Sequence, residues 1–277
     1  MSESGGLDSG LLDTRLVRKV WGRAHLPEPF ASQDDGASQQ PIGEIWFKSP
    51  SALDDILVKY LFTSDKLSVQ VHPSDAQARP GEEGKEECWL ILDAEPGAQL
   101  AIGFRDAIDP ERMRAAAIDG SIEDLLQWHT VAPGDFFYLP AGTVHAIGAG
   151  ISLVEVQQSS DTTFRLYDYG RPRELHLDRA VEVARCDKYN EARHTRVSAA
   201  SEALVAGPHF RLTRLVGVPA ASVRDDFDGP VLVLPLSGEV GLGDAHIAAG
   251  HCGFAPSIDA FRFADDAIAL LVAGAPS

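Results

Sequence analysis

Three short stretches of this chain carry residues whose types and spacing could do chemistry. The first, Pro133-Gly134-Asp135-Phe136-Phe137-Tyr138-Leu139-Pro140-Ala141-Gly142-Thr143-Val144-His145, reads as strand, tight turn and second strand, and it delivers one imidazole. The second, Leu67-Ser68-Val69-Gln70-Val71-His72-Pro73, spaces Ser68, Gln70 and His72 in steps of two. On a strand these three side chains share one face while Val69 and Val71 take the other. The third, Gly84-Lys85-Glu86-Glu87-Cys88-Trp89, sets Glu87 on the strand face of Trp89 and Ile91, where a carboxylate is costly unless a cation neutralises it. Singly, each has an ordinary explanation. His72 alone would be a hydrogen-bonded strand histidine, and Glu87 one of a solvated acidic run with Glu82, Glu83 and Glu86. Together, Gln70, His72, Glu87 and His145 offer two imidazoles, an amide oxygen and a carboxylate to one metal ion. That set contains no thiolate and suits one zinc ion, with manganese, iron, cobalt or nickel as other divalent options.

More charge surrounds this set. Glu155 lies in the otherwise apolar segment Leu153-Val154-Glu155-Val156 and must either pair with a cation, Arg165 being the nearby one, or titrate as an acid or base. Lys85, Arg165, Arg171 and Arg173 could concentrate positive charge near the metal and so suit a phosphorylated substrate. Each arginine could equally pair with Asp161, Asp168 or Glu174. His25, His129, His176, His194, His209, His246 and His251 lack comparable support and are assigned structural or solvated roles.

The elements that must position these groups are mostly short strands. Alternating or apolar runs bounded by Gly and Pro predict strands over 42–48, 56–63, 67–72, 88–92, 99–104, 135–139, 144–148 and 151–157, with Ser64-Asp65-Lys66 closing a hairpin. Asp109 is a candidate cap for a helix opening with Pro110 and ending at Gly120, and Ser121 for a second from Ile122 to Trp128. A further helix is expected over 176–185, and polar flexible segments over 1–10 and 32–40. Many short strands with turn signals predict a mainly β sandwich or barrel. The opening motif recurs in damaged form, because an offset of 116 positions carries Gly134 to Gly250, Pro140 to Pro256 and His145 to Phe261. A second β-sandwich unit with an aromatic residue at the metal-binding position is therefore expected.

Composition narrows the function. The 277 residues are 44% hydrophobic, enough for one or two cores, and the formal charge of -17 argues against nucleic acid or anionic membrane as partner. No apolar run approaches the roughly 18 residues of a bilayer span, and 1–10 is polar and acidic, so neither a membrane anchor nor an export leader is expected. Cys88, Cys186 and Cys252 are odd in number and lack Cys-x-x-Cys spacing, which fits a reducing cytoplasm.

The motif from Gly134 to His145 resembles the second motif of cupins, double-stranded β-sandwich (jelly-roll) barrels that hold a metal inside. Gln70 stands where cupins normally offer a first histidine, and fourteen residues separate His72 from Glu87. With Ser68-Val69-Gln70-Val71-His72-Pro73, Lys85-x-Glu87, Pro140-Ala141-Gly142-Thr143-Val144-His145-Ala146 and Gln158-Ser159-Ser160-Asp161, the chain resembles the type I mannose-6-phosphate isomerase family in its short bacterial form. Lys19-Val20-Trp21-Gly22 and Gly43-Glu44-Ile45-Trp46 add to the likeness, which spans 19–185 well and the remainder poorly. Together with the composition and the internal repeat, it implies a flexible N-terminus at 1–10, a metal-binding cupin domain over 11–190 with a helical insertion near 109–128, and a degenerate cupin-like domain over 191–277. Also implied are zinc on Gln70, His72, Glu87 and His145, active-site roles for Lys85 and Arg165, Ser68 in the phosphate site and a looser phosphate contact at Arg171. Where many relatives have Lys-Pro-Glu or Lys-Thr-Glu this chain has Lys85-Glu86-Glu87, and the separation from Lys85 selects Glu87. The implied reaction interconverts mannose 6-phosphate and fructose 6-phosphate through a cis-enediol in a monomer or homodimer, with Lys85, Glu155 or metal-bound water as the base. The rival readings are a cupin isomerase acting on another sugar phosphate and a cupin that binds sugar or sugar phosphate without turnover; the four ligands, Lys85 and Arg165 argue against the second.

Overall fold

The structure, a computed structural model, describes residues 9–33, 36 and 38–275. The expected flexible segments over 1–10 and 32–40 therefore fall partly outside the described residues. Strands β1 (Gly10–Leu11), β2 (Thr14–Arg23), β3 (Ile42–Phe47), β4 (Ile56–Phe62), β5 (Val69–Val71), β6 (Glu87–Ala94) and β7 (Gln99–Phe104) come first. Helices α1 (Pro110–Asp119) and α2 (Ile122–Leu125) interrupt them, and β8 (Leu126–Thr130), β9 (Asp135–Leu139), β10 (His145–Ile147), β11 (Ile151–Gln158) and β12 (Phe164–Tyr167) follow. After α3 (Leu177–Val183) and β13 (His194–Arg196) come β14 (Glu202–Ala206), β15 (Phe210–Val216), α4 (Ala221–Asp226) and β16 (Val231–Ser237). The chain finishes with β17 (Val240–Leu242), β18 (Ala245–Ile247), β19 (Gly253–Ala255), β20 (Phe261–Phe263) and β21 (Ile268–Gly274).

These strands build a mainly β molecule in layers. A seven-stranded sheet, ordered β13-β9-β6-β11-β4-β3-β2, faces a five-stranded sheet, ordered β12-β5-β10-β7-β8, as a double-stranded β-sandwich. Between them Trp89, Ile91, Leu61 and Phe137 of the larger sheet pack with Leu100, Ile102 and Ile147 of the smaller. The back of the smaller sheet carries Val69, Val71 and Val144, covered by Met113, Ala117 and Ile122 of the helical insertion and by Ala180 and Val183 of α3. The back of the larger sheet carries Val58, Tyr60, Phe62 and Leu90, covered by Leu212, Leu232, Leu234 and Leu270 of a six-stranded C-terminal sheet, β1-β19-β16-β21-β15-β14.

This last contact explains why β4 is buried along its whole length rather than on alternate residues. Both of its faces are covered, so Ile-Leu-Val-Lys-Tyr-Leu-Phe reads as a nearly continuous apolar run. Two further expectations are corrected. Ser64-Asp65-Lys66 closes no hairpin, since β4 belongs to the seven-stranded sheet and β5 to the five-stranded one; the segment crosses between layers. Ser121 provides no side-chain cap and α2 stops at Leu125, because Leu126–Thr130, with Trp128, is needed as edge strand β8 beside β7. Helix α1 forms as read: Asp109 Oδ1 accepts from the Arg112 amide at 2.7 Å, Pro110 opens the first turn, and Gly120 ends it with φ of 86°.

The internal repeat is visible in the backbone. Gly134 and Gly250 take φ of 90° and 88°, and β10 begins at His145 as β20 begins at Phe261. Gly142, in the turn that aims His145, has φ of 83°, donates to His72 O at 2.8 Å, and would set an added Cβ 2.9 Å from Val183 O. Gly142→Ala should cost about 1–2 kcal/mol for the left-handed backbone alone, plus the price of that close approach. Gly243→Ala, where φ is 58° and no atom lies within 4 Å of the new Cβ, should cost only the backbone part. Thermal unfolding of the two variants side by side checks the ranking.

Candidate metal centre and active site

The sandwich interior brings the four proposed ligands together. Pairing of β10 with β5 sets His145 opposite Gln70, and pairing of β6 with β9 and β11 sets Glu87 opposite Leu139 and Gln157. Glu87 Oε1 lies 3.2 Å from His145 Nε2 and Oε2 lies 3.5 Å from His72 Nε2, with the two rings 5.0 Å apart. His72 Nδ1 lies 2.8 Å from Thr162 O and His145 Nδ1 3.0 Å from Thr143 O, so each δ nitrogen donates its proton to a carbonyl and each ε lone pair faces Glu87. Gln70 Nε2 is 3.2 Å from His145 Nε2, and Ser68 Oγ donates to Gln70 Oε1 at 3.1 Å. Glu86 turns to the opposite side, where the Tyr138 hydroxyl donates to it.

His72, Glu87 and His145 are a cluster able to hold a metal ion. Their electrostatics fit one. Glu87 is 1% exposed, and both of its carboxylate oxygens, with His72 Nε2, are buried without a hydrogen-bond partner. Lys85 Nζ is 3.2 Å from Glu87 Oε2, a Coulombic contact whose geometry directs no proton at the oxygen. Burial opposes the charge on Glu87, yet Lys85, His145 and His72 hold its carboxyl well below the ordinary range. Burial also pushes both imidazoles below their ordinary values, toward the neutral form that ligates metals.

Beside this cluster runs a chain of alternating charges. Lys85 lies 3.6 Å from Glu155, Glu155 3.1 Å from Lys59, Lys59 3.4 Å from Glu44, and Glu44 3.5 Å from Lys19 at the mouth. Glu155 is thus partnered by Lys59 and Lys85 rather than by Arg165. Burial, with Glu87 and Glu44 nearby, pushes its carboxyl up to about 7, while Glu155 and Glu44 keep Lys59 protonated against the effect of its own burial. The Trp46 indole donates to Glu44 at 2.6 Å, and Lys59 lies 5.4 Å over that ring. Lys59 and Glu44 escaped the sequence reading. The available signal was a single lysine inside the apolar run of β4, which the register sets directly opposite Glu155.

These groups line a cavity of about 570 Å³ together with Ser68, Gln70, Trp89, Ser160, Arg165 and Arg173. Arg165 donates to Glu174 O at 2.9 Å and leaves its Nε without a partner. Arg173 is held by Asp168 at 2.5 and 2.6 Å. Arg171 is placed elsewhere: it donates to Asp65 at 2.6 Å, to Lys66 O at 2.7 Å and to Asp168 at 3.2 Å, and does not line the cavity.

No family model matches the sequence. The chain is 46% identical over 149 residues to mannose-6-phosphate isomerase ManA of Bacillus subtilis, covering 50% of this chain and 47% of the relative. It is 40% identical over 178 residues to the mannose-6-phosphate isomerase of Streptococcus mutans serotype c, covering 60% of this chain and 56% of the relative. The chain is similar to mannose-6-phosphate isomerases. It spans about half the length of these curated relatives. The fold extends the likeness over nearly the whole chain. A crystal structure of mannose 6-phosphate isomerase from Bacillus subtilis superposes with TM-score 0.74 at 23% identity, covering 96% of this chain and 99% of that one. A variant of phosphomannose isomerase from Salmonella typhimurium gives TM-score 0.73 at 14% identity, covering 97% and 100%. The cupin β-sandwich of those enzymes is the fold of this chain.

The buried titratable groups set a stability profile for EDTA-treated protein. Neutral His72 and His145 stay unprotonated in the fold below the ordinary histidine value of about 6.5, whereas in the unfolded chain they take up protons, so both favour unfolding as pH falls. Glu155, raised in the fold, takes up its proton earlier than in the unfolded chain and offsets one of them between about 7 and 4.5. The net expectation is a loss of stability as pH falls below about 6.5. Denaturation at pH 7.5 and 5.5 tests it, and Glu155→Gln, which removes the opposing group, should steepen the loss.

Proposed function

We propose that this protein is a metal-dependent aldose-ketose isomerase that interconverts mannose 6-phosphate and fructose 6-phosphate. The observation that carries the reading is a buried carboxylate with neither oxygen hydrogen-bonded, between two oriented imidazoles and set beside Lys85, Glu155 and Lys59 in one cavity. Gln70, with its amide turned over so that the oxygen faces the imidazoles, His72, Glu87 and His145 would hold one zinc ion, which when bound supplies positive charge that polarises sugar oxygens and stabilises negative charge developing on them. Among the buried groups that line the cavity, Lys59 and Lys85 bring two positive charges against three on Glu44, Glu87 and Glu155, so a divalent cation reverses the excess and suits an anionic substrate.

In this reading Glu155 removes the C2 proton of mannose 6-phosphate while O1 gains a proton, giving the cis-enediol. O2 then loses its proton, and Glu155 returns its own to C1. A carboxyl pushed up to about 7 is matched to that two-way transfer near neutral pH. Lys85, poised between Glu155 and Glu87, serves the hydroxyl protons, and Lys59 holds Glu155 in place. Arg165, with its partner-free Nε on the cavity wall, and Ser68 would receive the phosphate. Arg171, committed to Asp65 and Asp168, would instead brace that wall. We read residues 11–190 as the metal-binding domain and 191–277 as its degenerate partner, in a cytoplasmic monomer or homodimer without nucleic-acid partners.

Zinc-loaded protein should convert mannose 6-phosphate to fructose 6-phosphate in a coupled assay, EDTA should stop it, and added zinc should restore it. Absence of conversion by fully metallated protein would sink the proposal. Glu155→Gln should lower kcat by about 100-fold or more with KM little changed, and activity within a few-fold of wild type would remove Glu155 from the role given it. His145→Ala should lose the active-site ion, whereas Phe261→Ala should keep it.

A further inference from the structure

Opposite the catalytic cavity, the two sheets meet along a second seam. There β8 is the edge of the five-stranded sheet and β13 the edge of the seven-stranded sheet. His129 lies on β8 opposite Leu100, and His194 lies on β13 opposite Phe137. Glu191 sits just before His194, in a one-turn helix over Glu191–Arg193. Ligand atoms of His129, Glu191 and His194 lie within 4.8 Å of one another.

Each residue is prepared for a different part of metal binding. The His194 ring stacks on Phe137 at 4.2 Å and 12°, which fixes its orientation. His129 is packed against Phe137 and Tyr189 with ring centroids 5.7 Å away, its Nε2 is buried without a hydrogen-bond partner, and burial biases it to the neutral form. Glu191 is exposed and supplies an anion at the solvent side. Asp135, 4.0 Å from His194, accepts from the Ala132 amide and from Arg196.

We propose that His129, Glu191 and His194 form a binding site for a divalent transition-metal ion of the zinc class, which clips edge strand β8 of one sheet to edge strand β13 of the other. Two imidazoles and a carboxylate are a sufficient donor set for zinc, with the remaining position open to water. Its position on the far seam makes it a structural clasp, independent of the catalytic ion and of the isomerase reading.

The test counts zinc by elemental analysis after the intact chain is equilibrated at micromolar free zinc. Wild type should hold two ions per chain. His194→Gln and Glu191→Gln should each hold one, as should His145→Gln, and the His145→Gln/His194→Gln double variant none. Glu191→Gln changes an exposed side chain and should retain wild-type isomerase activity, which separates loss of the clasp from misfolding. If the catalytic reading alone were wrong, wild type would hold one ion that depends on His194 and not on His145. A zinc count unchanged in both His194→Gln and Glu191→Gln would overturn the clasp and leave an aromatic cluster only. As a second readout, zinc added to EDTA-stripped His145→Gln protein should raise its Tm, and should not do so in the double variant; equal shifts in both would also overturn it.

Discussion

A carboxylate shut away from water with neither oxygen hydrogen-bonded is among the costliest groups a fold can hold, and Glu87 is one. Much of the first β unit answers to it. Lys85 and the two imidazoles crowd around it, and their own burial has to be offset in turn: Lys85 leans on Glu155, Glu155 on Lys59, and Lys59 on Glu44. Glu44 reaches the mouth through Lys19 and the Trp46 indole. The charge is therefore led from the His72, Glu87 and His145 cluster to solvent in alternating steps. Removing one member leaves its neighbours uncompensated, so these residues act as a unit rather than as additive pairs.

Such a chain survives only where the surrounding layers exclude water and hold register. Glu155, Lys59 and Trp46 are direct cross-strand neighbours along one row of the seven-stranded sheet, which continues the other way through Trp89 and Phe137 to His194. A one-residue slip of β4 would turn Lys59 into the apolar layer beneath the C-terminal sheet and bring Tyr60 or Val58 into the cavity. The apolar contacts of Tyr60 and Phe62 with Phe30, at 4.5 and 4.9 Å, hold the register on the far face. Packing on one side of β4 thus fixes chemistry on the other.

That coupling marks what could and could not be read from residue order. The strands 99–104 and 135–139 were legible to the residue, because their turns carry Gly or Pro and their apolar patterns are unbroken. So was the shared face of Ser68, Gln70 and His72, because strand periodicity needs only local spacing. Lys59 and Glu44 were not, since their meaning depends on which strands become neighbours and which face a second sheet covers. The same holds for Ser64-Asp65-Lys66, whose turn-forming composition suits a hairpin but whose flanking strands join different sheets. His129 and His194 lie on strands far apart in sequence that meet only when the two sheet edges close.

The paired glycines show how one design can serve two ends. Gly134 and Gly250 take nearly the same left-handed conformation, and each is followed by a strand, a proline and a short strand beginning at His145 or Phe261. In the first unit the imidazole needs polar partners, and these require the charged chain through β4. In the second the ring is a packing element: a Cβ added at Gly253 would lie 3.1 Å from Phe261 and closer still to Ile247, so the interior there is already filled. A unit with a full apolar interior needs no charge compensation and can devote its sheet to covering the outer face of the first. The aromatic ring at Phe261 and the burial of Val58, Tyr60 and Phe62 are then linked, since the sheet whose other face packs on that apolar interior supplies the cover on which the register of β4 depends.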